Sequence, residues 1–257
     1  MNIAYQLSKS NQPNAQNMVI LHGLLGSGDN WKSIANQLTQ THNVYCLDLP
    51  NHGLSDSLQD FNYPILADKI AQFIRHYQLE GCVLLGHSMG GKVAMQLAHN
   101  HCALISKLIV VDIAPKYYEN SHQAIFKAIQ SVDLPNVTER RDVDKQMSDL
   151  IPQMGVRQFI LKSLSKNKET GLFQWLFNWQ FLLNNYEKIA EAPKLTTPIE
   201  TPTLFIKGET SDYLQADDQT LIQTQFTNSK ARMIIGAGHW PHVEKQAMFL
   251  KELQRFL

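Results

Sequence analysis

Short, unbroken apolar runs alternate with amphipathic stretches along the first half of this chain. Met18 to Leu21, Val44 to Leu47, Val83 to Leu85 and Leu108 to Ile113 read as buried strands. Between them, Trp31, Ile34, Ala35 and Leu38 fall at helical spacing, as do Ile65, Leu66, Ile70, Phe73, Ile74 and Tyr77, and then Val93, Ala94, Leu97 and Ala98. A strand that is apolar at every position needs cover on both faces, and the intervening helices supply it. The pattern therefore predicts an α/β fold with a mostly parallel central sheet and helices on both faces. Ile3 to Leu7 adds a short edge strand.

The alternation stops near Lys116. From there to Glu200 the signals are helical, and neither a buried strand nor a separate sheet is expected. Ser121 would cap a helix carrying Ile125, Ile129 and Val132; Val156 to Leu164 is amphipathic; Trp179 to Ile189 is aromatic and helical. The β/α pattern resumes at Thr201, with strands at Thr203 to Ile206 and Met233 to Ile235, and helices at Ala216 to Gln225 and Val243 to Leu257. The expected organisation is one core domain, residues 1–115 and 201–257, interrupted by a helical lid at 116–200. Connections of about 85 residues are not simple loops, and one at the carboxyl ends of strands fits a lid.

Composition removes several alternatives. The 257 residues are 44% apolar and 18% charged, with 23 Lys plus Arg against 23 Asp plus Glu. That is too apolar and too balanced for disorder, and it lacks the basic excess with which a nucleic-acid binder neutralises phosphates. No apolar run approaches the roughly 18 residues that span a bilayer, and no signal-peptide core opens the chain. Cys46, Cys82 and Cys102 are too few for a disulfide framework, and two of them sit in apolar runs; free thiols predict a cytoplasmic location. No P-loop, G-x-G-x-x-G or H-E-x-x-H occurs, so a reaction without metal or cofactor is expected.

The chemistry is carried by Gly86-His87-Ser88-Met89-Gly90. A G-x-S-x-G alone is a weak signal, but here a buried strand precedes it and a helix follows at once. That is the context of a nucleophile elbow, which exposes a serine hydroxyl at the positive end of a helix. The alternative is a serine that merely caps the helix. A hydroxyl needs a base, and His239, in the loop after the last strand, stands in the expected chain order. His242 lies close by at the start of the final helix. The acid that orients the imidazole has two candidates: Asp112, which ends an apolar strand, and Asp212, in the polar loop after the next strand. Leu24, in His22-Gly23-Leu24-Leu25-Gly26, and Met89 would supply the N–H groups of an oxyanion hole. Leu25 and Trp240, beside these residues, are the candidate substrate contacts. His52 is expected to be structural, and the cluster Phe173, Trp175, Phe177, Trp179 and Phe181 either lines an acyl pocket or holds the lid together.

Taken in order, HGLLGSGDNW, DLPNHGLS, GHSMGGKVAM, VVDIAP and GAGHWPHVE resemble the YbfF-type esterases of the α/β-hydrolase superfamily over nearly the whole chain. The resemblance implies a carboxylesterase or thioesterase with a small helical lid, and it implies that the acid is the aspartate of D-I-A-P, Asp112. The expected substrate is a small ester or thioester, with no nucleic-acid or membrane partner. Acyl-CoA thioesterases and carbon–carbon bond hydrolases share the same residue set, as does a ligand receptor built on a hydrolase scaffold. A haloalkane dehalogenase or epoxide hydrolase would carry aspartate at position 88.

Overall fold

A computed structural model describes residues 1–119 and 122–257. The strands are β1 (Tyr5–Ser8), β2 (Gln16–Leu21), β3 (His42–Leu47), β4 (Cys82–His87), β5 (Ile105–Val111), β6 (Leu164–Lys166), β7 (Phe173–Trp175), β8 (Thr203–Gly208) and β9 (Ser229–Ile234). The helices are α1 (Lys32–Leu38), α2 (Tyr63–His76), α3 (Met89–Asn100), α4 (Gln123–Ser131), α5 (Arg140–Met147), α6 (Met154–Lys162), α7 (Trp179–Asn184), α8 (Tyr186–Ala190), α9 (Gln219–Gln225), α10 (Pro241–Glu244) and α11 (Gln246–Phe256).

The main sheet has seven strands in the order β1-β3-β2-β4-β5-β8-β9. Only β1 runs antiparallel, pairing Tyr5 with Leu47 at the edge; all other neighbours are parallel. The sheet's two faces bury separate cores, because successive side chains on a strand point to opposite sides. Val19, Leu21, Leu84, Leu108, Val110 and Phe205 face α2 and α3. Met18, Ile20, Val83, Leu85, Ile109 and Val111 face Trp31 and α1, together with Phe249 and Leu253 of α11. This double burial is why the strands carry no polar alternation. The edge strand β9 does differ, with Lys230, Ala231, Arg232 and Met233 exposed.

Between β5 and β8, which pair directly at Leu108 and Thr203, the chain leaves the sheet and forms α4 to α8. The expectation of no sheet there needs correction: β6 and β7 form a two-stranded antiparallel ribbon pairing Leu164 with Trp175 and Lys166 with Phe173. Strands of three residues are too short to produce a period-2 signal. The helix over Trp179 to Ile189 is broken at Asn185 into α7 and α8, and the final helix is split at Lys245 into α10 and α11. Ser121 lies outside the described residues, so its capping role has no structural account.

Candidate active site

The carboxyl ends of β2, β4 and β5 and the loop after β9 converge at one place, as they do in open parallel sheets that bind ligands above their carboxyl edge. β4 ends at His87 and α3 begins at Met89, so the chain reverses at Ser88 alone. Ser88 is held at φ 52° and ψ −121°. A left-handed φ is costly for a residue with a Cβ and persists only where the surroundings impose it. Here they do so by close approach. A Cβ on Gly86 would lie 2.2 Å from the carbonyl oxygen of Gly90, and one on Gly90 would lie 2.4 Å from that of His22. The Ser88 side chain makes no capping hydrogen bond to α3, so the helix-cap alternative does not describe it.

Asp112 follows β5, is fully buried, and also has a positive φ, 53°. Its Oδ2 stands 2.7 Å from Nδ1 of His239. The carboxylate has other donors: Ser211 Oγ donates to Oδ2, and Gly208 N–H donates to Oδ1 at 3.0 Å. Burial pushes this carboxyl up, but His239, Ser211 and Gly208 together outweigh it and hold it below the ordinary carboxylate range. Asp212 is exposed on the adjoining loop, so the structure brings Asp112, and not Asp212, to the imidazole. Ser211 is a site residue that sequence reasoning passed over, although it adjoins Asp212 in the loop already singled out.

The ring of His239 stacks on Tyr213 at 3.9 Å between centroids. Its backbone carbonyl accepts from Nε2–H of His87 at 2.8 Å, which ties the loop after β9 to the turn at Ser88. The His22 to Gly26 loop is fixed by a second pair of histidines. His52 Nε2 accepts the Leu25 N–H at 3.1 Å, and His22 Nε2 accepts the Leu49 N–H at 2.9 Å. Each ring donates its other nitrogen to a carbonyl, Pro50 for His52 and Gly23 for His22. An imidazole that accepts an N–H must be neutral. Burial drives the same way, pushing His22 down to about 4 and His52 down to about 3. His52 was expected to be structural; its ring is buried and accepts the N–H of Leu25, which sits at φ 63°.

Ser88, His239, Leu24, Leu25 and Trp240 line one cavity of about 220 Å³, roofed by Ile125, Val156 and Phe159 of the inserted segment. A smaller cavity of about 30 Å³ shares Leu24, Ser88, His122 and Tyr213 with it, and continues past Met89 towards Ile113, Tyr118, Tyr186 and Ile189. Thus both N–H contributors expected from the sequence, Leu24 and Met89, border the serine. The aromatic cluster does not line either cavity: Trp175 stacks on Phe177 at 5.3 Å, Phe173 is buried, and Phe177 bridges to His52. Among the described residues, no group of three or more His, Cys, Asp or Glu side chains is arranged to hold a metal.

A serine at a strand-to-helix reversal lines one cavity with a histidine that is paired with a strand-end aspartate, above a mostly parallel seven-stranded sheet, and that sheet is the α/β-hydrolase fold. A family profile described as alpha/beta hydrolase fold matches residues 16–246. Esterase YbfF of Escherichia coli is 35% identical over 258 residues, covering 100% of this chain and 98% of that protein. The sn-1-specific diacylglycerol lipase ABHD11 of Mus musculus is 34% identical over 248 residues, 93% of this chain and 80% of its own length. A solved marine microorganism esterase superposes with a TM-score of 0.94 at 36% identity, covering 99% of both chains. Within the α/β hydrolases, this chain belongs to the YbfF-type esterases.

Proposed function

We propose that this protein hydrolyses carboxylic esters, with Ser88 as nucleophile, His239 as general base and acid, and Asp112 as its orienting carboxylate. In this reading Ser88 Oγ attacks the acyl carbon while His239 takes its proton. The oxyanion is held by the N–H groups of Leu24 and Met89. The ester C–O bond breaks, and the proton held by His239 passes to the leaving alkoxide. Water, deprotonated in turn by His239, then releases the acid and restores Ser88. Asp112 keeps the imidazole in the tautomer that presents Nε2 to the serine and stabilises its charged form.

The observation that supports this reading most is the 2.7 Å pairing of Asp112 with His239 on a cavity that Ser88 also faces. The esterase and lipase relatives support the substrate class. The inserted segment is read as a lid because Ile125, Val156 and Phe159 cover the cavity. The turn at Ser88 is read as a nucleophile elbow because of its φ and its flanking glycines. Among the described residues no helix is long and apolar enough to cross a membrane. The free cysteines are in keeping with a cytoplasmic location.

Ser88→Ala is expected to reduce turnover of p-nitrophenyl butyrate by about 10⁴-fold or more in a protein whose circular dichroism is unchanged. Retained turnover would remove the nucleophile. The acid is tested separately: Asp112→Asn should lower kcat by about 10³-fold or more, and Asp212→Asn should stay near the parent. The reverse order would transfer the role to Asp212.

A further inference from the structure

Leu25 is fixed at both of its backbone polar groups. Its N–H is taken by His52, and its carbonyl accepts the hydroxyl of Ser163 at 2.8 Å. The first partner belongs to the core and the second to the inserted segment, 138 positions along the chain. Gly23 is fixed as well: its carbonyl accepts from Nδ1 of His22 at 2.7 Å and from the Gly26 N–H at 3.1 Å. In a trans peptide the N–H points opposite to the carbonyl that precedes it. Holding the Gly23 carbonyl therefore aims the Leu24 N–H, and holding Leu25 stops the chain from twisting out of that aim. The φ of 63° at Leu25 is costly and relaxes unless its surroundings impose it. Among the described residues, Ser163 makes the one hydrogen bond from the inserted segment to Gly23, Leu24 or Leu25.

Ser163 is itself built into place. It follows α6, donates its N–H to the Ile160 carbonyl at 3.0 Å, and accepts the Leu176 N–H at 2.7 Å. On either side of it, Arg140 of α5 donates to the carbonyls of Leu161 and, at 2.5 Å, Leu164. The side chain is 1% exposed, so water cannot replace it at the Leu25 carbonyl. The same helix, α6, roofs the cavity with Val156, Phe159 and Ile160. Phe159 packs on Trp240, beside His239, at 5.3 Å between centroids. One helix thus meets the site on two sides, at the His22 to Gly26 loop and at the histidine loop.

We propose that Ser163 is a positioning residue for the oxyanion hole, so that the loop carrying Leu24 has its catalytic shape only with α6 seated on it. The proposal rests on the ester-hydrolase reading, in which the Leu24 N–H holds the oxyanion. Ser163 lines neither cavity at Ser88, so it acts through Leu25 and not on the substrate. Negative charge develops on the carbonyl oxygen in both half-reactions and is absent from the bound ester. A misaimed Leu24 N–H therefore weakens transition-state binding and leaves ground-state binding alone.

Ser163→Ala removes the donor and keeps the backbone. With p-nitrophenyl butyrate, kcat should fall by about 10- to 100-fold, less than deleting an oxyanion donor outright costs. KM should stay within about twofold of the parent. A trifluoromethyl ketone, whose adduct on Ser88 carries the same oxyanion, should lose affinity by the factor lost in kcat/KM. A role in stability alone moves neither quantity at a temperature where the variant is folded. His52→Leu acts on the same residue, so the double variant should lose less than the product of the two single losses. Ser148→Ala, which removes a hydroxyl bonded to the Lys145 carbonyl of α5, should match the parent. A parent-like kcat in Ser163→Ala, a change in KM alone, single losses that multiply, or an equal loss in Ser148→Ala overturns the role of Ser163 and leaves the nucleophile standing. If the parent turns over no ester and diethyl p-nitrophenyl phosphate leaves no mass increase on Ser88, the hydrolase reading fails and the proposal fails with it.

Discussion

A buried imidazole that accepts a backbone N–H can do its work in one protonation state only. His52 takes the Leu25 N–H and His22 takes the Leu49 N–H, with their rings 5.0 Å apart and edge to face. His52→Leu keeps much of the volume and deletes the acceptor, leaving the Leu25 N–H buried without a partner. A loss of about 1–3 kcal/mol in unfolding free energy is expected, measured by urea titration. Because Leu25 adjoins Leu24, kcat for butyrate esters should drop as well. Unchanged kcat would show that the loop holds its shape without the ring. This role was not legible in the sequence. What His52 accepts belongs to a residue 27 positions away, and only the folded chain brings the two together. Ser88 was legible for the opposite reason: its strand, reversal and helix all lie within a few consecutive residues.

At the level of elements, the clearest contrast is between two helical glycines. Gly90 lies in the first turn of α3, where a Cβ would meet the carbonyls of Leu21, at the end of β2, and of His22, just after it. Gly155 lies in the first turn of α6 with nothing within 4 Å of an added Cβ. Gly90→Ala should cost about 1–3 kcal/mol through overpacking and should impair catalysis by pushing α3 from the His22 loop. Gly155→Ala should stabilise by about 0.5–1 kcal/mol, both read from thermal unfolding. The elements that sequence periodicity located best are those buried on two faces, β2, β4 and β5, since their apolar runs have no other explanation. The ribbon β6–β7 escaped because three residues carry no period. The break at Asn185 escaped because an aromatic run looks helical whether or not it is continuous. Asp112 was readable as a candidate from the cost of ending an apolar strand on a charge. The residues alone left Asp212 beside it, and the contact that separates the two, Asp112 with His239, joins positions 127 apart in the chain.

For the molecule as a whole, the buried histidines set a floor on pH. Burial pushes His22 and His122 down to about 4 and His52 and His87 to about 3, and it takes His242, stacked on Trp31, well below its ordinary value. In the unfolded chain each ring takes up a proton near pH 6.5. Between that value and the folded one, the unfolded state binds more protons. The contribution of each ring is thus complete above pH 6.5 and shrinks as pH falls towards 4, at up to about 1.4 kcal/mol per pH unit per ring. The unfolding temperature should therefore drop steeply between pH 6.5 and 5 while varying little from 7 to 8. A flat profile across the acidic range would be incompatible with neutral rings in the fold.

Leu25 and Ser88, which line the cavity, and Asp112, buried behind His239, all sit at positive φ, at 63°, 52° and 53°. Each such position costs on the order of 1–3 kcal/mol, drawn from the stability of the rest of the chain. Glycine adopts this backbone without penalty, so Ser88→Gly should melt higher than Ser88→Ala, by an amount worth about 1 kcal/mol. Scanning calorimetry of the two inactive proteins decides it. Heat alone, applied as a selection to a library of this protein, would then enrich for chains that have given up the serine, and thermal robustness and competence would be inherited as competing traits.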